Sequence, residues 1–529
     1  MHVRQCLVLL LVCSALGLGV TLALGVTYSD RLSSHATGFF AVEVDDAIAA
    51  NAEPRRPRRS VLVVVDGLGH EAARTMGAIA LLREHGQCRK TAVGVPSMSR
   101  PVYATISTGL EQDRTGARGN DDESPLFARS IWQQARAAGL SVAAVSELTW
   151  WQDLFPGAFT SYAVLGLEDD YFAALPPADL QLVHPLYVDE AGHEFGAASP
   201  EYAEAVARAD RELGGLLRGL DFSQDLVVLT ADHGHSLRGG HGGDQDAIAN
   251  VMTCHAGFGV RRDPDYGHLR ITTVAPSLAL LLGLPFPNHM RAGDDDLDAL
   301  WAIVDPSAFP AAYLEDRRAA VERFRRANED AVRAWLPATG GSWDAFYDAY
   351  RQRHRSGARV LVAALALVCL LHLYLHRRRE RQGEARSAAL FGLGFVAVFG
   401  AVTYALQVGL RGSFDLSSVA GRGEFIGFTL TLGVGWTALA VLVHWLARRD
   451  ACALMLDLAA ILVIGSVLGA AHPLILGWRL GFPVPSPTVY FFPYFAALMI
   501  PAVAGVAVIV AAVVGLRPLR RRSDMIART

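Results

Sequence analysis

The chain carries little net charge and little cysteine for its length. A formal charge of −4 over 529 residues is too small to imply a nucleic-acid partner. The middle of the chain has no basic stripe with interleaved aromatics, so that class of partner is excluded. Six cysteines occur, with no Cys-x-x-Cys pattern among them. Cys6, Cys13, Cys369 and Cys452 lie in or beside apolar runs, leaving Cys88 and Cys254 outside. An oxidising compartment would allow this pair to bond, and the spacing leaves the matter open. Neither an internal repeat nor a low-complexity tract is present.

What the chain has is apolar residues, 52% of the total, too many for a purely soluble protein of this length. Residues 7–28 follow a short amino end with Arg4 and suit a cleaved signal peptide or a retained anchor, the length of the run favouring the anchor. Five further runs, at 360–375, 388–410, 425–447, 452–471 and 490–516, read as membrane spans. In a six-span count the arginines at 377–379, 448–449 and 520–522 all fall on one side, which the positive-inside rule makes the cytoplasm, together with both termini. The expectation is a multi-pass protein of a bacterial inner membrane. It would have an anchor over 1–30, an extracytoplasmic, periplasmic catalytic domain over 31–355 and a five-span membrane domain over 356–529. Tyr490, Phe491, Phe492, Tyr494 and Phe495 suit an interfacial belt, and Asp457 falls within a span.

In the middle segment strand and helix alternate. Residues 61–65 and 226–230 are β-branched apolar runs that read as buried parallel strands, and 141–145 reads as a third. Residues 70–85, 130–138 and 200–217 read as helices, and 313–335 as a charged helix that packs on the domain or lies near a membrane surface. Such alternation implies a mostly parallel sheet with helices on both faces. The polar residues then gather at the carboxyl ends of the strands, where open α/β sheets bind ligands. Asp66-Gly67 ends the first run and Asp232-His233-Gly234 ends another; Ser99, Asp189, His193 and His241 complete a scattered set of ligand-type side chains. Taken singly, Asp66 is a turn acid, His193 a helix cap and His241 a tolerated loop residue. As an ordered series they suggest a two-metal site.

That ordered series resembles the alkaline phosphatase superfamily, and within it the type I phosphodiesterase and nucleotide pyrophosphatase branch. It is also similar to the glycosylphosphatidylinositol ethanolamine phosphate transferases, whose Asp-His-Gly-Met and Gly-x-His-Gly segments are matched by 232–235 and 239–243. The resemblance covers about 60–260. It implies an α/β, alkaline-phosphatase-like fold, here joined to an α-helical multi-span membrane domain. It further implies one metal held by Asp66, Asp232 and His233 and touching Ser99, and another held by Asp189, His193 and His241. The imidazole and carboxylate donors suit two Zn²⁺ ions, with Mn²⁺ as the alternative. Ser99 lies nine residues before Thr108, as the family places its nucleophile, although Ser97 is close by. Asn120 resembles the family's phosphate-binding asparagine, which would stabilise a nonbridging oxygen.

Departures from the family narrow the substrate. Val102 and Tyr103 stand where sulfatases carry Ser and Arg, and no Lys-x-Arg pair follows Glu147 as in the monoesterases, which tilts the chemistry toward phosphodiesters. The layout then implies a membrane-bound phosphotransferase or phosphodiesterase, with a membrane lipid or lipid-linked glycan as donor or acceptor. The alternatives are a phosphodiesterase or pyrophosphatase hydrolysing a soluble nucleotide or diester, a sulfatase-like hydrolase, and an inactive lipid-binding scaffold.

Overall fold

The computed structural model describes residues 42–49, 54–117, 119–120, 124–262, 267–290 and 294–335, with isolated positions between 401 and 435. Its centre is an eight-stranded sheet. The strands are β1 (Arg59–Val64), β2 (Gly86–Ala92), β3 (Val142–Ser146), β4 (Ser161–Val164), β5 (Leu180–His184), β6 (Asp225–Thr230), β7 (Asn250–Gly257) and β8 (His268–Arg270). They lie in the order β4-β3-β5-β1-β6-β7-β2-β8. All neighbours pair in parallel except at β7, which runs antiparallel to both β6 and β2. The expected α/β sheet is therefore present, with one reversed strand that nothing in the sequence announced.

Residues 61–65 are continuously apolar because β1 sits mid-sheet with both faces covered: Val61, Leu62, Val63, Val64 and Val65 have no exposed surface. Leu62 lies between Leu182 of β5 and Val228 of β6. Burying side chains of this size contributes about 1.5–3 kcal/mol each.

The helices that position the site are α1 (Gly77–Glu84), α2 (Ser99–Thr108), α3 (Ile131–Ala137), α4 (Tyr187–Phe195), α5 (Pro200–Arg218), α6 (Val274–Leu282), α7 (Asp294–Ile303) and α8 (Ala311–Trp335). Helices α1, α4 and α5 form one packed group and α2, α3 and α6 another. Local sequence explains their starts. Ser130 and Gln133 form a reciprocal capping box on α3, and Ser199 caps α5 ahead of Pro200. The buried stripe of α5, Tyr202, Val206, Ala209, Leu213 and Leu217, has the three- and four-residue spacing of an amphipathic helix. The pattern over 70–85 predicts one helix, and two pieces form instead, His70–Ala73 and Gly77–Glu84, with the second N-capped by extended Met76.

Helix α8 packs on the domain, with Tyr313, Ala320 and Phe324 fully buried. Its buried Arg317 donates to Asp46 at 2.6 Å, and Arg323 donates to the other Asp46 oxygen at 2.8 Å, which fastens the 42–49 segment to the fold. Cys88 and Cys254 are directly opposed in the β2–β7 register and are bonded to one another.

The membrane expectation is corrected. A span needs about 20 predominantly apolar helical residues, and no helix among the described residues is long and apolar enough to cross a membrane. The apolar α6 has nine residues, and the 25-residue α8 is dense in Arg, Glu and Asp. The multi-span domain is therefore not part of the described fold, and the inner-membrane, multi-pass location has no support in it. The runs at 7–28, 360–375, 452–471 and 490–516, with Asp457, lie outside the described residues, and those at 388–410 and 425–447 do so except at isolated positions.

Candidate functional site

Four consecutive strands, β3, β5, β1 and β6, deliver polar residues at their carboxyl ends: Ser146, His184, Asp66 and Asp232. Helix α4 adds Asp189 and His193, four residues apart and so on one face. Helix α2 begins at Ser99, and the loop after β6 brings in His233, His235 and His241. Tight approach is possible because Gly67 takes φ +72°, and a Cβ there would lie 2.7 Å from the Asp189 Cα.

The geometry centres on His233. Its Nδ1 faces the Gly234 carbonyl at 3.3 Å, an acceptor only, so that nitrogen carries the proton. The Nε2 lone pair then faces Ser99 Oγ at 3.3 Å, Asp232 Oδ2 at 3.2 Å and Asp66 Oδ1 at 3.6 Å. Burial holds the His233 pKa down to about 4, so no second proton relieves this confrontation. Asp232 Oδ1 accepts from the backbone N–H groups of Gly67 and His233, at 3.1 and 3.0 Å, while its Oδ2 has no partner. Asp66 repeats the pattern. Its Oδ2 accepts from Tyr103 and from His184 at 3.1 Å, while Oδ1 has none.

A second group lies beside the first. His241 Nδ1 donates to the Ser97 carbonyl at 3.0 Å, leaving its Nε2 3.2 Å from His193 Nε2. His193 Nε2 is also 3.5 Å from Asp189 Oδ2. His235 Nδ1 donates to the Gly239 carbonyl at 2.8 Å, and its Nε2 stands 2.8 Å from Asp189 Oδ1. Burial, and after it the charge of Asp66, raises Asp189 to about 7; burial lowers His235 to about 4. For Asp66, burial pushes upward, but the hydrogen bond from His184 and the neighbouring imidazole charge outweigh it and hold the carboxyl below its usual range.

The His233 lone pair confronting carboxylate lone pairs at 3.2–3.6 Å is what a divalent cation satisfies. Two nitrogen or oxygen donors on one tetrahedral ion at about 2.0–2.1 Å sit roughly 3.3 Å apart. The donor chemistry therefore fits a metal. Three overlapping groups could hold one: Asp66 with Asp232 and His233; Asp189 with His193 and His235; and Asp189 with His233 and His241.

The structure brings Asp66, Ser99, Asp189, His193, Asp232, His233 and His241 together. Asn120 joins them from the far end of the α2 start: its Oδ1 accepts from the Arg100 N–H at 3.1 Å, which presents its amide NH₂ as a donor. Ser97 takes a different part. Its hydroxyl donates to the Gly243 carbonyl at 2.7 Å and accepts from Gly242 N–H at 3.1 Å, which pins the His241 loop beside Ser99. His255 lies on β7 and is bonded instead to Ser277 on α6 at 2.9 Å. His184 and Ser146 carry no sequence signal, and Tyr103 carries one only as a departure from the sulfatase pattern. His235 does carry one, since it stands where the similar transferases have Met.

A family model described as type I phosphodiesterase / nucleotide pyrophosphatase matches residues 145–238, which include Asp189, His193, Asp232 and His233. Among curated proteins, the mouse GPI ethanolamine phosphate transferase 3 catalytic subunit is 28% identical over 275 residues, covering 44% of this chain and 25% of that protein. The human GPI ethanolamine phosphate transferase 2 catalytic subunit is 25% identical over 303 residues, covering 47% and 31%. The chain thus spans about a quarter to a third of the length of these relatives. Among solved structures, human ectonucleotide pyrophosphatase / phosphodiesterase 5 matches at 16% identity and a TM-score of 0.38, covering 43% of this chain and 96% of that one. Over residues 145–238 the chain is similar to the type I phosphodiesterase / nucleotide pyrophosphatase family, and over a longer stretch it is distantly similar to the GPI ethanolamine phosphate transferases.

Proposed function

We propose that this chain is a metal-dependent hydrolase of phosphodiesters that works through a phosphorylated Ser99. The observation that carries this is the placement of Ser99: first residue of α2, with its Oγ 3.3 Å from His233 Nε2 at the edge of the donor set. Asp66, Asp232 and His233 would hold one divalent ion, and Asp189 with His193 and His241 a second, with Zn²⁺ suited to the imidazole-rich set. Such ions supply Lewis-acid stabilisation of the entering and leaving oxygens and make a bound hydroxyl more acidic.

The chain's own residues do the rest. Ser99 Oγ attacks phosphorus, an Oγ–P bond forms and the bond to the leaving alcohol breaks, the serine proton ending on the alcohol oxygen; water then cleaves the Oγ–P bond, leaving its hydroxyl on phosphorus and returning a proton to Ser99 Oγ. The amide of Asn120 donates to a nonbridging oxygen as charge builds there. The amino end of α2 presents its positive pole to the same anion.

The membrane-bound transferase with a lipid head group as substrate is set aside, because no described helix crosses a membrane. Hydrolysis of a nucleotide or other soluble diester takes its place. A sulfatase is disfavoured by Tyr103, whose hydroxyl is committed to Asp66. The test is a matched panel of bis(p-nitrophenyl) phosphate, p-nitrophenyl phosphate and p-nitrophenyl sulfate, with glycerophosphoethanolamine as a diester that carries ethanolamine phosphate. Diester turnover above monoester and sulfate is expected; a preference for monoester or sulfate would reject the assignment.

A further inference from the structure

Asp66 and Asp232 present one free oxygen each to His233, but the two carboxylates are held by different means. Asp232 is fixed by backbone N–H groups that no substitution removes. Asp66 is fixed by side chains. Its Oδ2 accepts from Tyr103 and from His184 Nε2. Because a carboxylate only accepts, the His184 proton sits on Nε2, and Nδ1 must accept from Ser146 Oγ, 2.7 Å away. Ser146 in turn accepts from the Leu148 N–H at 3.1 Å. The direction of every bond is thereby set from a backbone N–H to the Asp66 oxygen.

This chain of bonds runs sideways across strand ends. Ser146 and His184 are register partners on β3 and β5, and Asp66 lies just past the end of β1 on the other side of β5. Ser146, His184, Tyr103 and Asp66 are all 1% exposed or less. Trp151 stacks on Tyr103 at 4.3 Å between ring centroids and meets His184 edge-on at 5.4 Å, so neither ring is free to turn.

We propose that His184 and Tyr103, with Ser146 behind His184, are positioning residues that saturate one oxygen of Asp66 and thereby fix it as a single-oxygen ligand aimed at the ion it shares with Asp232 and His233. This rests on the metal assignment above and adds to it a set of outer partners. Partners of this kind typically change metal affinity by about 10–100-fold.

The experiment is metal binding by the full chain, counted by elemental analysis after dialysis against Zn²⁺ and graded by chelator competition. Wild type is expected to hold two ions. Tyr103→Phe and His184→Leu should each weaken one ion by about 10–100-fold and leave the other unchanged, and His184→Gln, which returns an N–H near the Nε2 position, should recover most of the loss. Wild-type affinity for both ions in Tyr103→Phe and Ser146→Ala would overturn the inference while leaving the metal assignment standing. A melting temperature lowered in the metal-free variant with unchanged metal affinity would likewise reduce these residues to packing. Should His184→Leu fail to fold, Tyr103→Phe and Ser146→Ala decide. Failure of the wild type to take up stoichiometric metal would remove the assignment itself.

Discussion

The two halves of the site are built from different materials. The half around Asp66 and Asp232 grows from adjacent ends of β1 and β6, and its donors have 0–1% exposure. The half around His193 and His241 grows from one face of α4 and a glycine-rich loop held by Ser97, and the His193 side chain is 30% exposed. Strand ends in a packed sheet fix atoms to within the tolerance of the core, whereas a loop is fixed by a few hydrogen bonds. The strand half is thereby the more rigid of the two, and the loop half the one that reaches solvent, through His193.

Ser99 stands between the halves, and its removal gives the largest expected effect. Ser99→Ala should cut diester turnover by at least about 10³-fold, the scale of losing a nucleophile, while elemental analysis still finds both ions. Loss of an ion together with turnover would make Ser99 mainly a ligand. Next come paired ligand losses. Asp232→Asn should remove one ion outright, because Asp232 Oδ2 is a buried donor with no other partner. His241→Gln should weaken the other ion less, since the loop can readjust around its replacement. Equal losses measured by chelator competition would erase the distinction between a rigid and an adaptable half.

A smaller effect separates the carboxylates from the imidazoles in the metal-free protein. Burial and the charge of Asp66 raise Asp189 to about 7, and the same causes with Asp189 added raise Asp232 well above its ordinary value. A carboxyl raised on folding binds more protons in the native state, so its contribution is favourable at low pH and is lost as pH rises through the native value. The histidines act in the opposite sense. His233 and His235, lowered to about 4, add stability as pH climbs toward their unfolded value near 6.5 and nothing further above it. Between pH 6.5 and 8 only the carboxyl loss remains. The melting temperature of chelator-treated protein should fall over that window, and Zn²⁺ should abolish the fall. A rise instead would mean that the carboxylates are not destabilised by one another.

Which parts of this were legible in sequence follows from the range of the forces involved. The runs at 61–65 and 226–230 declared the strands β1 and β6 because each is apolar on both faces, and α3 and α5 were legible because caps and stripes are local. Asp66, Asp232 and His233 were legible because they end such strands. Strand β7 was not: its sequence, Asn250–Gly257, mixes polar and apolar residues, and its reversal depends on pairing with β2 and β6. The Cys88–Cys254 bond was left open for the same reason, because only that register places two residues 166 apart opposite one another. His184 ends β5 without a motif, and its partners Ser146, Asp66 and Tyr103 lie far off in sequence. The apolar runs of the chain's last third supported spans by composition alone, and composition does not establish a helix.

The smallest expected effect tests how many imidazoles the loop half uses. His235 lies under Gly67 and Gly192, where a Cβ would approach its ring to 2.8 and 2.3 Å, so the backbone is shaped around this side chain. It gives one hydrogen bond to the Gly239 carbonyl and sets Nε2 2.8 Å from Asp189 Oδ1. His235→Met installs the residue that the similar transferases carry at this position. It removes the bond to Gly239, worth about 1 kcal/mol, and leaves Asp189 with His193 and His241 as the donors. If His235 only braces the loop, chelator competition should show a loss below about 10-fold, under the range expected for the Asp66 partners. A loss matching that of His241→Gln would instead make His235 a ligand. Asp189, His193 and His235 would then be the working set, and His241 would serve to hold the loop against Ser97.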